Sequence, residues 1–180
     1  MDTPEAGQNI ITRGLPKTGQ DVEQVAGDDG TYEAGWWVGR LNATNRTRFI
    51  ARTIGGDDIV LDRATGLMWA ADGAAAGCNN GALITWPLGI AYANALNFAG
   101  FEDWRMPNHK ELHSLLDLAG GWPLINTTVF PNTETDDTYW TSSTAPFVAA
   151  NAFFVDFSGG ASYDMLKTTE LNLRCVRKGL

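Results

Sequence analysis

The chain has 180 residues, a formal net charge of −8, 20 glycines and 7 tryptophans. The negative charge argues against nucleic acid and anionic membranes as partners, because both attract basic surfaces. No apolar run reaches the roughly 18 residues of a membrane-spanning helix, so we expect no membrane insertion and one compact domain with a sizeable core.

The first residues, Met1-Asp2-Thr3-Pro4, lack the basic and apolar regions of a signal peptide. Either such a signal was removed, or the protein leaves its cell without one, as a virion component would. We therefore expect an extracellular, cell-surface or virion-associated protein. Residues 1–46 show no sustained hydrophobic period and are interpreted as an N-terminal extension packed on a domain of residues 47–180.

Two cysteines, Cys78 and Cys175, are too far apart in sequence for a zinc motif or a CxxC redox pair. Two interpretations stay open. The cysteines are buried thiols, or they form a single disulfide that joins the middle of the chain to its end in an oxidising compartment.

Short strands are predicted early in the domain, at residues 48–52 and 59–61, with a turn at Gly55-Gly-Asp-Asp58 between them. A third strand follows at residues 67–69. Residues 71–81 are rich in glycine, alanine and asparagine, and they predict a loop.

Two helices are predicted in the middle of the chain. The first begins after Thr85, carries Pro87 in its first turn and stops at Gly100. The second begins after Pro107 and ends at Gly120-Gly121. At its start, Asn108 and Glu111 have the spacing of a capping box. Leu112, Leu115 and Leu116 share one face and are expected to be buried.

Arg105 directly precedes the second helix, and we expect it to be partly buried and paired. Its expected partner is a carboxylate, Asp103 or Asp156, or a set of backbone carbonyls. From residue 139 the pattern changes to strands, at 139–143, 152–157, 161–167 and 172–178. This order predicts an α+β fold with two helices and an antiparallel β-sheet.

Several separated motifs occur in a fixed order along the chain. They are Pro16-Lys-Thr-Gly-Gln20, Ala26-Gly-Asp-Asp-Gly30, Thr65-Gly-Leu-Met-Trp69, Gly100-Phe-Glu-Asp-Trp-Arg-Met-Pro-Asn-His-Lys-Glu-Leu112, Tyr139-Trp-Thr-Ser-Ser143, Phe154-Val-Asp-Phe-Ser-Gly159 and Leu173-Arg-Cys-Val-Arg177. With them the chain, from Pro16 to its end, resembles the C-terminal domain family of the Legionella collagen-like adhesin. The resemblance implies a C-type-lectin-like fold, in the branch shared with formylglycine-generating enzymes and with the variable proteins of diversity-generating retroelements.

The resemblance implies a non-enzymatic ligand-binding protein that displays a variable C-terminal face to a protein or glycan on a target surface. The candidate ligand-binding residues are Ala145, Phe147, Val148, Ala149, Asn151, Ala161, Tyr163, Asp164, Leu166 and Thr168. Most residues of these segments can arise from an Asn codon by changes at its adenines, as retroelement diversification requires. Exposed Phe147, Val148, Tyr163 and Leu166 would form a recognition patch. The alternative is that half of them alternate inward as ordinary core.

The alternative function is that of a polyanion- or glycan-binding adhesin. It needs a basic face built from Arg174, Arg177 and Lys178, which trimerisation would enlarge. Oligomerisation is therefore left open.

The third function is an enzyme similar to formylglycine-generating enzymes, which carry two cysteines in the C-terminal half. Because only Cys175 lies there, we expect no catalytic residue. His109 and His113 lack a third ligand at a characteristic distance, and the aspartates lack calcium-site spacing. We therefore expect no metal and no cofactor.

Overall fold

The computed structural model describes residues 17–32, 47–118, 121–134 and 138–179. These residues form a mixed α+β fold in which mostly antiparallel sheets predominate over short helices, as predicted. Of the expected N-terminal extension, residues 1–16 and 33–46 lie outside the described ranges. Within residues 17–32, the Thr18 carbonyl accepts a hydrogen bond from the Leu118 N–H.

The helices are α1 (Asp29–Tyr32), α2 (Trp86–Ala95) and α3 (His109–His113). A 3₁₀ helix at Ala76–Gly81 lies within the segment that the sequence predicts to be a loop. The strands are β1 (Phe49–Ile54), β2 (Asp57–Asp62), β3 (Leu67–Ala70), β4 (Ile84–Thr85), β5 (Thr138–Thr144), β6 (Asn151–Asp156), β7 (Ala161–Leu166), β8 (Glu170–Leu171) and β9 (Val176–Lys178).

The first sheet has the order β1-β2-β3-β9, and its neighbouring strands are antiparallel. Its first hairpin confirms the predicted strand pair. The turn is only Gly55-Gly56, with φ of 65° and 98°, a backbone conformation that glycine adopts without a steric penalty. Pairing of β9 with β3 returns the end of the chain to its early strands.

The second sheet has the order β5-β6-β7 and is also antiparallel. Strands β4 and β8 form a separate two-stranded pair. The final strand predicted at residues 172–178 is too long, because only Val176–Lys178 within this range is a strand, β9. The preceding residues Glu170–Leu171 form the separate strand β8.

Two clusters of buried side chains form the core. One contains Trp104 and Trp140, and the other contains Trp69 together with Leu112 and Leu115. All three tryptophans are at most 2% exposed, and they are the largest apolar side chains buried in the two clusters. Within the described residues, no helix is both long enough and apolar enough to cross a membrane.

The start of α3 has the predicted capping box, because Asn108 Oδ1 accepts from the Glu111 N–H and the Glu111 carboxylate accepts from the Asn108 N–H. The predicted length is wrong, since α3 ends at His113. The proposed carboxylate partners of Arg105 are also wrong. Its guanidinium binds both carboxylate oxygens of Glu111 at 2.7 Å, while Asp103 pairs with Arg177.

Candidate functional site at the β5–β6 loop and edge strand β7

Strand β7 lies at the edge of the β5-β6-β7 sheet in the described part of the chain. Its first two residues are half-buried and its last four, Tyr163 to Leu166, are exposed. A strand covered on one face would show an alternating pattern. The unbroken run of exposed residues therefore means that β7 meets solvent on both of its faces.

The predicted ligand-binding residues fall into three exposure groups. Phe147 is 97% exposed, Tyr163 61%, Leu166 55% and Val148 47%. Ala149, Asp164 and Thr168 are also exposed, and Asn151 and Ala161 are half-buried. Ala145 is buried, at 5% exposure, so its side chain is a core contact and not part of an exposed surface. We call the remaining set, Phe147, Val148, Ala149, Asn151, Ala161, Tyr163, Asp164, Leu166 and Thr168, the edge surface.

The edge surface is not one flat face. Side chains alternate along a strand, so Tyr163 lies on the opposite side of β7 from Asp164 and Leu166. Tyr163 is paired with Phe154, a member of the Trp140 cluster, and their rings are 6.1 Å apart. The predicted patch of four apolar residues therefore wraps around the sheet edge, because β7 is not covered on either side at its carboxyl end.

Lys167 holds the β5–β6 loop, residues 145–150, against the end of β7. Its ammonium group donates hydrogen bonds to the Ala149 carbonyl and to Thr144 Oγ1, both at 2.9 Å. The same group lies 4.3 Å from the centre of the Trp86 ring, at the start of α2. The Lys167 N–H also donates to the Ala150 carbonyl. The loop that carries Phe147 is therefore positioned by contacts that do not involve Phe147 itself.

Asn151 and Asp164 are joined across the strand pair by a hydrogen bond of 2.6 Å between the amide Nδ2 and a carboxylate oxygen. Both were predicted as ligand contacts. Their bond fixes the orientation of the carboxylate on the Leu166 side of β7. The Asp164 carboxylate, a hydrogen-bond acceptor, is therefore already held in position in the absence of a ligand.

The basic face required by the polyanion alternative is contradicted by the burial of its arginines. Arg174 is 0% exposed and Arg177 is 9% exposed. The Arg177 guanidinium binds the Asp103 carboxylate at 2.5 Å and 3.1 Å and lies over the Phe101 ring. Of the three residues, only Lys178 is exposed.

A serine and a histidine meet beside the edge surface, but their hydrogen bonds have the wrong direction for a nucleophile and its base. Ser162 Oγ donates its single proton to the Phe154 carbonyl at 2.6 Å. His109 Nε2, 2.6 Å from the same oxygen, must therefore be the donor. The His109 ring stacks on the half-buried Phe153 ring, with the ring centres 4.7 Å apart.

Burial of the His109 ring, together with the charges of His113 and Lys110, lowers the pKa of His109 from its ordinary value of 6.5. The two histidines are adjacent, with ring centres 5.9 Å apart. Across the described residues, no group of three or more His, Cys, Asp or Glu side chains is arranged to hold a metal ion. Asp136 and Asp137 lie outside those residues.

Two of the other aspartates have structural partners. Asp62 is buried and receives hydrogen bonds from Arg48 Nε and Nη2 at 2.9 Å and 2.8 Å. Asp156 accepts from the Ser158 N–H and hydroxyl and from the Gly159 N–H, and so closes the turn before β7. These carboxylates are committed to the fold of the strands that carry them.

A family model, the Lcl C-terminal domain, matches residues 58–177 of the chain. The chain belongs to the Lcl C-terminal domain family. This is the predicted adhesin family, and it identifies the chain as an adhesin-like surface domain. No curated protein shows significant sequence similarity to the chain. The matched residues contain the whole edge surface.

The sequence does not predict the role of Lys167 or the exposure of Met165, which is 37% exposed. Both lie inside the strand predicted at residues 161–167, where the pattern gives no sign that the strand is at an edge. Lys167 directly follows β7, but its partner Trp86 is more than 80 residues away in sequence. Only the fold brings them together.

Proposed function

We propose that this adhesin-like domain is a non-enzymatic recognition module that binds a ligand on a target surface through the edge surface. The observation that supports this most strongly is the nearly complete exposure of Phe147, 97%. A phenylalanine at a loop tip gains nothing from burial in its own fold. Together with Val148, Tyr163 and Leu166 it provides the aromatic and aliphatic anchors that protein partners use.

The preferred ligand is a protein rather than a polyanion. Two of the three residues of the predicted basic face are buried, and Arg177 is neutralised by Asp103. The edge surface itself offers apolar side chains and a carboxylate, Asp164. A ligand that contacts both sides of β7 must have a cleft or a pair of loops that receives the strand, which is a property of folded protein surfaces.

We further infer that the fold is C-type-lectin-like, as the resemblance implies. Three features support this inference. The two principal helices, α2 and α3, lie in sequence between the first sheet and the β5-β6-β7 sheet. Strand β9 returns to pair with β3, so the last strand closes the domain onto its early strands. The capping box after the Arg105-Met-Pro107 turn is present.

Diversification by a retroelement is part of the same proposal. The edge surface consists of residues that an Asn codon reaches by changes at its adenines, whereas Met165 and Lys167 do not belong to that set. Lys167 is the residue that holds the loop in place, so its absence from the variable set fits a structural role. Sequencing of the neighbouring DNA tests this. A reverse transcriptase beside a near-copy of the last coding segment that differs at adenines supports the proposal, and an arrangement without them opposes it.

The binding proposal is tested by displaying the full chain as a multivalent probe on arrays of extracellular proteins and of glycans, heparin included. The double variant Phe147→Ala/Tyr163→Ala is expected to lose capture of array proteins by about 30-fold or more, since anchors of this type contribute about 2 kcal/mol or more. Its melting temperature should stay within a few degrees of the original value, because exposed substitutions cost about 0.5 kcal/mol each.

Leu88→Ala is the matched control, because Leu88 on α2 is 61% exposed, as is Tyr163. It should leave capture unchanged. Equal capture by the double variant and the original chain would contradict the proposal. So would capture of heparin alone that disappears with added salt, since that pattern belongs to a polyanion binder.

A further inference from the structure

The two cysteines lie next to each other in the core although they are far apart in sequence. Cys78 is 2% exposed and Cys175 is 0% exposed, and both belong to the same cluster of buried residues around Trp104 and Trp140. Cys78 is in the 3₁₀ helix at Ala76–Gly81, and Cys175 directly precedes β9. Both are free thiols in this structure.

A backbone hydrogen bond limits the distance between the two residues. The Cys175 N–H donates to the Gly77 carbonyl oxygen at 2.9 Å. That oxygen belongs to the peptide group that ends at the Cα atom of Cys78. Standard peptide dimensions then place the two Cα atoms within about 7 Å of each other. Disulfides join Cα atoms about 4.4–6.8 Å apart.

The two thiols are buried in the same way as their backbones. Burial raises the pKa of the Cys175 thiol, and the neighbouring charge of Cys78 raises it further. Burial likewise raises the pKa of Cys78. Both side chains also belong to the one buried cluster around Trp104 and Trp140, so the thiols share the same part of the core.

We propose that Cys78 and Cys175 form an intramolecular disulfide in the exported protein. One thiolate attacks the disulfide of an oxidant, either a thiol–disulfide oxidoreductase or oxidised glutathione, and forms a mixed disulfide with loss of one oxidant thiolate. The other cysteine thiolate then attacks the protein sulfur of that mixed disulfide and releases the second oxidant thiolate. The protein loses two electrons and two protons, and the oxidant is reduced to two thiols.

The bond forms before the core closes. A buried thiol with a raised pKa supplies little of the reactive thiolate, so the folded, reduced chain exchanges slowly. The bond closes a loop of roughly 100 residues, and this loop contains β4 to β8 and the whole edge surface. In the chain-entropy model the stabilisation by a disulfide grows with the length of the loop that it closes. A loop of this size therefore lies near the upper end of the usual range. We expect the oxidised protein to melt about 10 °C above the reduced protein.

The experiment uses the full chain, produced once in the bacterial periplasm and once in a reducing cytosol. The periplasmic protein is expected to resist alkylation after denaturation, to be lighter by two hydrogen atoms, and to give one peptide pair linking Cys78 to Cys175. The cytosolic protein is expected to have two thiols that react only after denaturation. Reductant should lower the melting temperature of the periplasmic protein.

The double variant Cys78→Ala/Cys175→Ala should melt at the same temperature with and without reductant. Two alkylatable thiols in the denatured periplasmic protein would overturn the proposal. A disulfide found only between two chains on a non-reducing gel would overturn it too. If the double variant does not fold, the comparison of the two preparations of the original chain decides alone.

Discussion

Replacing Arg174 by methionine separates a structural role for this arginine from a role in polyanion binding. Its guanidinium is fully buried. Nη1 donates to the carbonyls of Ala70 and Ala71 at 2.7 Å and 2.5 Å, and Nη2 donates to Thr133 Oγ1 at 2.8 Å. The group also lies 5.2 Å from the centre of the Phe130 ring. Arg174 therefore connects the end of β3 to the segment before β5.

The expected cost follows from the groups that Arg174→Met leaves behind. Methionine fills much of the same volume, so the cavity is small. The carbonyls of Ala70 and Ala71 lose a buried partner, and an unsatisfied buried acceptor costs about 1–3 kcal/mol. The Arg174 charge is hydrogen-bonded to neutral carbonyl and hydroxyl groups, and burying it costs desolvation free energy. Replacing it with methionine therefore recovers part of that free energy. We expect a net loss of about 2–4 kcal/mol, which lowers the melting temperature by about 5–15 °C for a chain of this size.

The assay combines urea denaturation with elution from heparin-agarose by salt. Lys178→Met is the control, because Lys178 is the exposed member of the same three-residue set. Arg174→Met should be less stable and should elute at the salt concentration of the original chain. An unchanged stability together with earlier elution would refute the structural role and restore Arg174 to a binding surface.

Two pH-dependent effects are also expected. Burial alone would raise the pKa of Glu111, but the hydrogen bonds and charge of Arg105 outweigh it and lower that pKa below 4.5. The stability that Glu111 contributes is therefore present above its unfolded pKa and lost as the pH falls through the lower folded value. Glu111→Gln should cost about 1 kcal/mol at pH 7 and flatten the decline between pH 5 and 3 in denaturant titrations. His109 has a lowered pKa because of burial and the charges of His113 and Lys110, so the folded state binds its proton less readily than the unfolded state. Stability should fall as the pH drops below about 6.5, and His109→Gln should remove this slope in thermal melts. If His109→Gln kept the same loss of stability below pH 6.5, His109 would not be its cause.

The features that the sequence predicts correctly depend on residues close together in the chain. Asn108 and Glu111 are three positions apart, and their capping box forms as expected. Gly55-Gly56 sets the first hairpin, since both residues have positive φ. Each of these predictions needs only the chemistry of one turn or one residue.

The features that the sequence does not predict depend on contacts between distant segments. The sequence suggests Asp103 or Asp156 as the partner of Arg105, and only the fold shows that Arg105 binds Glu111 while Asp103 binds Arg177, 74 positions away. The helical pattern of residues 109–119 does not reveal that α3 ends at His113. The sequence correctly predicts a strand at residues 161–167, but the place of β7 at the sheet edge is a property of the β5-β6-β7 order.

The arrangement separates the residues that stabilise the domain from those proposed to bind. Lys167 fixes the β5–β6 loop through a backbone carbonyl, a threonine hydroxyl and the Trp86 ring. None of these contacts uses the side chains of Phe147 or Val148, which are exposed. Because the loop is held without them, the side chains at its tip can be exchanged at small cost to folding. The same holds for Tyr163 and Leu166, since an edge strand is held on its inner side by backbone pairing with β6. A change at Lys167 should instead disturb the whole edge surface at once, whichever side chains the tip carries.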